Sequence, residues 1–196
     1  MFNKIFSLTA LLLTMPVLLI ISFMIIINDG FPIFFSQKRV GKNGKMFKIF
    51  KFRTMVKNAE EILKENKNLY KEYVDNGYKI EVNRDPRILP FGAFLRSSSL
   101  DELPQFLNVL FGDMNVVGPR PVVEKELDTL YGDKKNIYLA MKPGVTGLWQ
   151  VSGRSNVKDS ERVNLDIKYY KNKSLINDIK IIFKTVVEVI NRTGAY

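Results

Sequence analysis

Apolar and polar positions divide this chain into unlike parts, beginning with a long uncharged run. No charge appears between Lys4 and Asp29. As a helix, Ile5 to Ile27 would be roughly 35 Å long, about the hydrocarbon thickness of a bilayer. Pro16, near the middle, removes a backbone hydrogen bond and crowds the preceding turn. The helix is therefore expected to bend, and a bent helix can enter and leave one leaflet. Thr14 could bond the freed backbone. The run is too long for a typical signal-peptide core, and no small-residue cleavage site precedes Asp29.

Beyond this run, Phe31 to Arg39 and Met46 to Arg53 are β-prone stretches on either side of Gly41-Lys42-Asn43-Gly44. The glycines and asparagine accept the positive φ of a tight turn, which predicts a hairpin. Lys45 to Arg53 mixes aromatic and basic side chains in imperfect alternation. A surface on lipid head groups and a solvated basic strand over a small core both fit. Val56 to Tyr73 has sparse apolar spacing at Ile62, Leu63, Leu69 and Tyr70, which predicts an exposed helix. Ser174 to Ile190 gathers Leu175, Ile179, Ile182, Phe183, Val186 and Ile190 on one face, with Asp178, Lys184 and Glu188 opposite. That is an amphipathic helix, either core-packed or interfacial.

Composition narrows the chemistry. The 196 residues, less the apolar segment, leave about 165, enough for one domain with a real core. Cys and His are both absent, which removes disulfides, thiolate zinc sites, cysteine nucleophiles and imidazole bases. Catalysis would fall to carboxylates, Lys, Arg or a metal. Thirty Lys and Arg against twenty Asp and Glu give a net charge of +10, which suits lipid head groups, nucleotides or nucleic acid. The basic excess from Lys38 to Arg53 places the following domain on the cytoplasmic side of a membrane.

Three clusters between Asp85 and Arg154 are candidates for function. In Leu95-Arg96-Ser97-Ser98-Ser99-Leu100-Asp101-Glu102-Leu103-Pro104-Gln105, two adjacent carboxylates follow an arginine. Neighbouring side chains on a helix diverge by about 100°, so one carboxylate could attack while the other holds a metal. By pattern alone, Ser99 to Glu102 reads first as a capping box. Against the cap, Pro104 falls late for a first-turn position and would disturb the same turn. The second cluster, Gly112 to Pro121, clamps Arg120 between Pro119 and Pro121 on a stiff backbone. Arginine suits bidentate phosphate recognition, although an arginine in a turn is commonly just solvated. The third, Lys142 to Arg154, has three glycines and the only tryptophan. Its glycines allow either close approach of a ligand or ordinary turns.

Six blocks then occur in a telling order: Gln37-Lys38-Arg39-Val40-Gly41, Lys51-Phe52-Arg53-Thr54-Met55, Asp85-Pro86-Arg87, Ser99 to Gln105, Val117-Gly118-Pro119-Arg120-Pro121 and Lys142-Pro143-Gly144-Val145-Thr146-Gly147. In this the chain resembles the bacterial sugar transferases, the monotopic phosphoglycosyl transferases, over nearly its whole length. The resemblance implies transfer of a sugar 1-phosphate from a UDP-sugar to undecaprenyl phosphate with release of UMP, initiating cell-surface polysaccharide or glycoconjugate synthesis. It implies Asp101 as a nucleophile forming a covalent phosphosugar intermediate, and Glu102 as a catalytic partner that helps bind Mg2+. Arg96 would neutralise phosphate, and the loop Pro119, Arg120 and Pro121 would lie near the nucleotide. Lys51 and Arg53 are further substrate-contact candidates that could instead face lipid.

The resemblance also implies location and architecture. Residues 1–29 would form a re-entrant membrane helix and residues 30–196 a catalytic domain at the cytoplasmic face of the bacterial inner membrane. The expected fold is α+β and helix-dominated, with a short β-hairpin and interfacial amphipathic helices against membrane lipids. Met15 stands where many members have serine before the proline, so the bend rests on Pro16 and Thr14. Larger relatives carry further transmembrane helices and a regulatory domain, which makes this chain resemble the minimal form. The insert between Met55 and Asp85, and the ending Gly194-Ala195-Tyr196, are more similar to members that transfer galactose or glucose 1-phosphate. Two other readings stay open. One is a basic membrane-associated binding module without catalysis, although no stacking platform supports a nucleic-acid partner. The other is a structural protein in which Asp101 and Glu102 serve only as a helix cap.

Overall fold

The computed structural model describes residues 1–76, 80–153 and 159–191. Arg154 and the terminal Gly194-Ala195-Tyr196 lie outside the described residues. The fold is α+β and dominated by helix, as the resemblance implies. Helix α1, Phe2–Asp29, runs without interruption through Pro16. The Thr14 hydroxyl donates to Ala10 O at 2.7 Å, so it does not reach the Leu12 carbonyl that Pro16 leaves without a donor.

Both halves of α1 dock on the rest of the chain. Near its start, Asn3 Oδ1 accepts the Val116 amide at 2.9 Å and Ser7 Oγ donates to Phe106 O at 2.7 Å. Near its end, Ile21 and Ile25 are buried in a cluster with Phe52 and Leu95. Between these anchorages Leu12, Leu13, Leu19 and Ile20 are exposed.

The predicted hairpin is present. Strands β1, Phe34–Val40, and β2, Met46–Phe52, pair antiparallel from Phe34↔Phe52 to Val40↔Met46. Asn43 at φ +57° and Gly44 at φ +77° make the turn. The single exposed helix expected over Val56 to Tyr73 is instead two, α2 (Ala59–Glu65) and α3 (Lys67–Asp75). Asn66 breaks it because its extended backbone frees its side chain to cap α3 at the Leu69 amide, 3.0 Å away.

Helix α4, Gly92–Ser97, leads through a short 3-10 turn, Leu100–Glu102, into α5, Gln105–Phe111. Strand β3, Asn115–Val117, pairs parallel with β4, Gly144–Thr146, across α6 (Glu124–Tyr131) and α7 (Lys135–Leu139). Glycines at 118, 144 and 147 are required by backbone contact here: a Cβ on Gly144 or Gly147 would collide with the Gly118 main chain. Close approach is therefore the use of these glycines, with chain rather than ligand as the neighbour.

Helices α8, Asp159–Lys171, and α9, Leu175–Asn191, close the fold. Of the apolar stripe of α9 only Ile182 packs against the core: Leu175, Ile179, Phe183, Val186 and Ile190 are exposed, Phe183 by 74%. Its inner side carries Asp178, which accepts from the Tyr169 hydroxyl at 2.7 Å, with Ile181 and Thr185, the latter bonded to Thr146. A helix that buries polar anchors and bares its apolar face has its amphipathic polarity turned outward.

Candidate functional site

The site forms where β2 ends against the 3-10 turn. Asn108 of α5 fixes the edge of β2 by accepting the Phe50 amide at 3.0 Å and donating to Lys48 O at 2.7 Å. This fully buried asparagine was not anticipated from sequence, although a lone polar residue inside Phe106-Leu107-Asn108-Val109-Leu110-Phe111 is a signal for such a bond. Lys51 follows on the same strand and reaches Glu102, Nζ to Oε1 2.6 Å, with Asp101 Oδ2 at 3.9 Å.

The capping box is absent. Ser99 sits in the left-handed region at φ +58° and makes no side-chain cap, while the Glu102 carboxylate is taken by Lys51. A structural protein that uses Asp101 and Glu102 only as a cap is therefore overturned. Pro104 does not disturb the turn, because the 3-10 segment ends before it and α5 starts at Gln105. A proline at that helix entrance loses no intrahelical bond.

Asp101 is buried, and no hydrogen bond to its carboxylate joins it to the other described residues. Burial pushes its pKa up to about 6, with the Lys51 charge opposing that rise and Glu102 adding to it. Arg96 on α4 gives Nε to Thr54 Oγ1 at 2.9 Å. Burial lowers its pKa, and the nearby Asp101 charge opposes this. It forms no ion pair among the described residues. Arg120 projects from between buried Pro119 and Pro121, with Nη1 3.9 Å from Glu102 Oε1. Lys51, Glu102, Gln105, Arg120 and Pro121 line one small cleft with Arg39.

The cleft holds an excess of cations. Arg39 Nη1 lies 3.8 Å from Glu126 Oε2, and its pKa is lowered by burial and by Arg120. Arg162, 2.8 Å from Glu126 Oε1, stacks on Trp149 at 4.6 Å, with Arg120 at 5.8 Å from the same ring. The sequence singled out Trp149 only as the one tryptophan and did not point to Arg162 and Glu126, which pair with each other across 36 residues.

Arg53 is placed elsewhere. All five of its guanidinium donors go to the end of α1 and the chain beside it. With these bonds made, none is left over for a phosphate. The third block, Asp85-Pro86-Arg87, is an internal brace: Arg87 Nε and Nη2 grip Asp85 at 2.8 and 2.7 Å. Val56 N then donates to Arg87 O and Leu89 N to Thr54 O, which holds the segment that presents Thr54 to Arg96.

Buried aspartate, cation-held glutamate and the proline-flanked arginine thus converge from blocks far apart in the chain. Residues 1–192 match the bacterial sugar transferase family. This chain belongs to that family. It is 45% identical over 198 residues to the undecaprenyl-phosphate galactose phosphotransferase of Salmonella typhimurium, covering 100% of this chain and 41% of that protein. It is 44% identical over 199 residues to the exopolysaccharide production protein ExoY of Rhizobium meliloti, covering 100% of this chain and 86% of that one. With the UDP-glucose:undecaprenyl-phosphate glucose-1-phosphate transferase of Klebsiella pneumoniae it shares 36% identity over 195 residues, 95% of this chain and 38% of the relative. The sugar transferase chain therefore spans under half the length of the Salmonella and Klebsiella proteins.

The Mg2+ implied for a sugar transferase can be tested on the donor set. Among the described residues no group of three or more acidic, His or Cys side chains forms a ready cage. Asp101 and Glu102 offer two adjacent carboxylates, and Mg2+ is commonly held by one or two carboxylates with substrate phosphate and water completing its shell. The residues fit that mode of binding.

Proposed function

We propose that this chain transfers a sugar 1-phosphate from a UDP-sugar to undecaprenyl phosphate at the cytoplasmic face of the bacterial inner membrane, releasing UMP. The observation that carries this reading is the buried carboxylate of Asp101 beside the cation-held Glu102. Ionised, a carboxylate oxygen of Asp101 attacks the phosphorus that bears the sugar. The bond from that phosphorus to the bridging oxygen breaks, and UMP leaves with the electron pair. An aspartyl phosphosugar remains. A phosphate oxygen of the lipid then attacks the same phosphorus, and the Asp101 carboxylate leaves. Splitting the transfer lets two bulky substrates use one site in turn.

Lys51, Arg96 and Arg120 surround the carboxylates with charge suited to the phosphates, and the Trp149 and Arg162 side of the cleft suits the nucleotide. When bound through Glu102 and the donor's phosphates, Mg2+ would neutralise charge on the departing UMP. The exposed apolar middle of α1, docked at both ends on one domain, supports a re-entrant helix. The bare apolar face of α9 supports contact with membrane lipids.

The test is nucleotide release from UDP-galactose, UDP-glucose and UDP-N-acetylglucosamine with Mg2+ and undecaprenyl phosphate. Relatives carry both galactose and glucose in their names, and one of these two sugars is expected to yield UMP. Release of UDP would overturn the reading.

Protonation should limit this chemistry on the acid side. With Asp101 near 6, kcat/KM for the UDP-sugar is expected to fall as pH drops through that value, since only the ionised form attacks. Lys51→Met removes the charge that holds this pKa down. The acid limb should then move to higher pH, by about 1 unit or more for an opposite charge at such range. Rate profiles between pH 5 and 8 would reveal it, and an unmoved limb would sink the assignment.

A further inference from the structure

We propose that Arg53 is a positioning residue that pins α1 to the catalytic strand and so sets where the lipid phosphate meets Asp101. The role rests on the transferase reading above and concerns its second step alone.

The Arg53 side chain is 8% exposed and every donor is used. Nε donates to Pro32 O at 2.7 Å. Nη1 pairs with the Asp29 carboxylate and reaches Met55 O at 3.3 Å. Nη2 donates to Gly30 O at 2.6 Å and Asp29 O at 3.3 Å. The Asp29 carboxylate also accepts the Lys57 amide at 3.0 Å. A helix end leaves carbonyls without intrahelical donors and favours a nearby cation. No basic residue of α1 lies in its last turn. Arg53, 24 residues further on, supplies both needs.

Its neighbours explain why this matters for chemistry. Two residues before it Lys51 holds Glu102, and one residue after it Thr54 receives Arg96. Phe52 between them packs with Ile21 and Ile25 of α1, and with Leu95, while Leu100 beside the nucleophile leans on the same cluster. Four consecutive residues therefore touch the membrane helix and the catalytic groups together.

The two attachments are separable. Strand β2 is held by its full pairing with β1 and by Asn108. Loss of Arg53 leaves Lys51 and the carboxylates in place but releases the end of α1. A UDP-sugar arrives from water and needs only the cleft. A polyprenyl phosphate arrives through the bilayer, where α1 fixes its height against Asp101.

The experiment uses the full chain in lipid nanodiscs with the preferred UDP-sugar and Mg2+. UMP release is followed in a single turnover without acceptor, then with undecaprenyl phosphate. For Arg53→Gln and Arg53→Lys the acceptor-free burst should stay within about threefold of wild type. Transfer to the lipid should fall by about 10-fold or more, the scale on which small misplacements act. Parallel loss of both steps, or loss of neither, would overturn the role. Should these variants fail to fold, Asp29→Asn keeps the shape and removes the paired charge, and the same acceptor-selective loss is expected. A wild-type protein without a burst would overturn the transferase reading itself, an outcome distinct from a burst that Arg53 variants lose in parallel with transfer.

Discussion

Asp101→Asn is expected to abolish UMP release, by on the order of 10³-fold or more, in a protein that melts at the same temperature as wild type or higher. The two outcomes share one cause. Burial raises the Asp101 pKa from 3.8 to about 6, which makes the ionised carboxylate expensive to hold in the folded chain. Between about pH 4 and 6 the folded protein retains a proton that the unfolded chain has released. Stability therefore falls as pH rises through that window, and the full cost stands above it. An amide of nearly equal size never ionises, so it removes a cost of about 1–3 kcal/mol at pH 7. Thermal unfolding at pH 7 and pH 4.5, beside the UMP assay, checks this. The stability gain should be present at pH 7 and shrink at pH 4.5. An active Asp101→Asn protein would rule out covalent catalysis at this residue.

Asn108→Leu is expected to be among the most damaging single substitutions outside the carboxylate pair. Leucine fills similar space but returns neither hydrogen bond, leaving the Phe50 amide and the Lys48 carbonyl at a part-buried strand edge without the buried Asn108 side chain that pairs them. Each such group costs about 1–3 kcal/mol, giving roughly 2–6 kcal/mol together. That is a large fraction of the stability of a typical domain. Denaturant unfolding of the purified protein would measure the loss, and a change under about 1 kcal/mol would contradict the account. Because Lys51 rides on the same strand, turnover should fall with stability, unlike Asp101→Asn, which separates them.

The two substitutions mark where sequence sufficed and where it did not. Asp101 was legible: adjacent acids after an arginine, in a run that also reads as a cap, stood out before any fold was known. Which reading held was not legible, because the cap fails through Ser99 adopting φ +58° and Glu102 turning to Lys51, 51 residues earlier. Arg53 shows the opposite case. Its place in a basic aromatic strand suggested substrate or lipid, yet five acceptors gathered from the end of α1 and the nearby loop consume it. For Asn108, one polar residue in a short apolar helix signals a buried bond, but only β2 beside it supplies the partners.

By itself the sequence determined the apolar entry helix, the hairpin and its turn, the amphipathic last helix and the six blocks that place the chain among bacterial sugar transferases. Such features rest on periodicity, turn chemistry and local order, which neighbours along the chain decide. Tertiary structure alone decided that α9 turns its apolar face outward, that α1 is anchored at both ends, and that Lys51 rather than Ser99 engages Glu102. Those outcomes depend on which groups become buried together across separations that reach 113 residues. A buried polar group must find a partner wherever the fold supplies one, and local pattern carries no record of that choice.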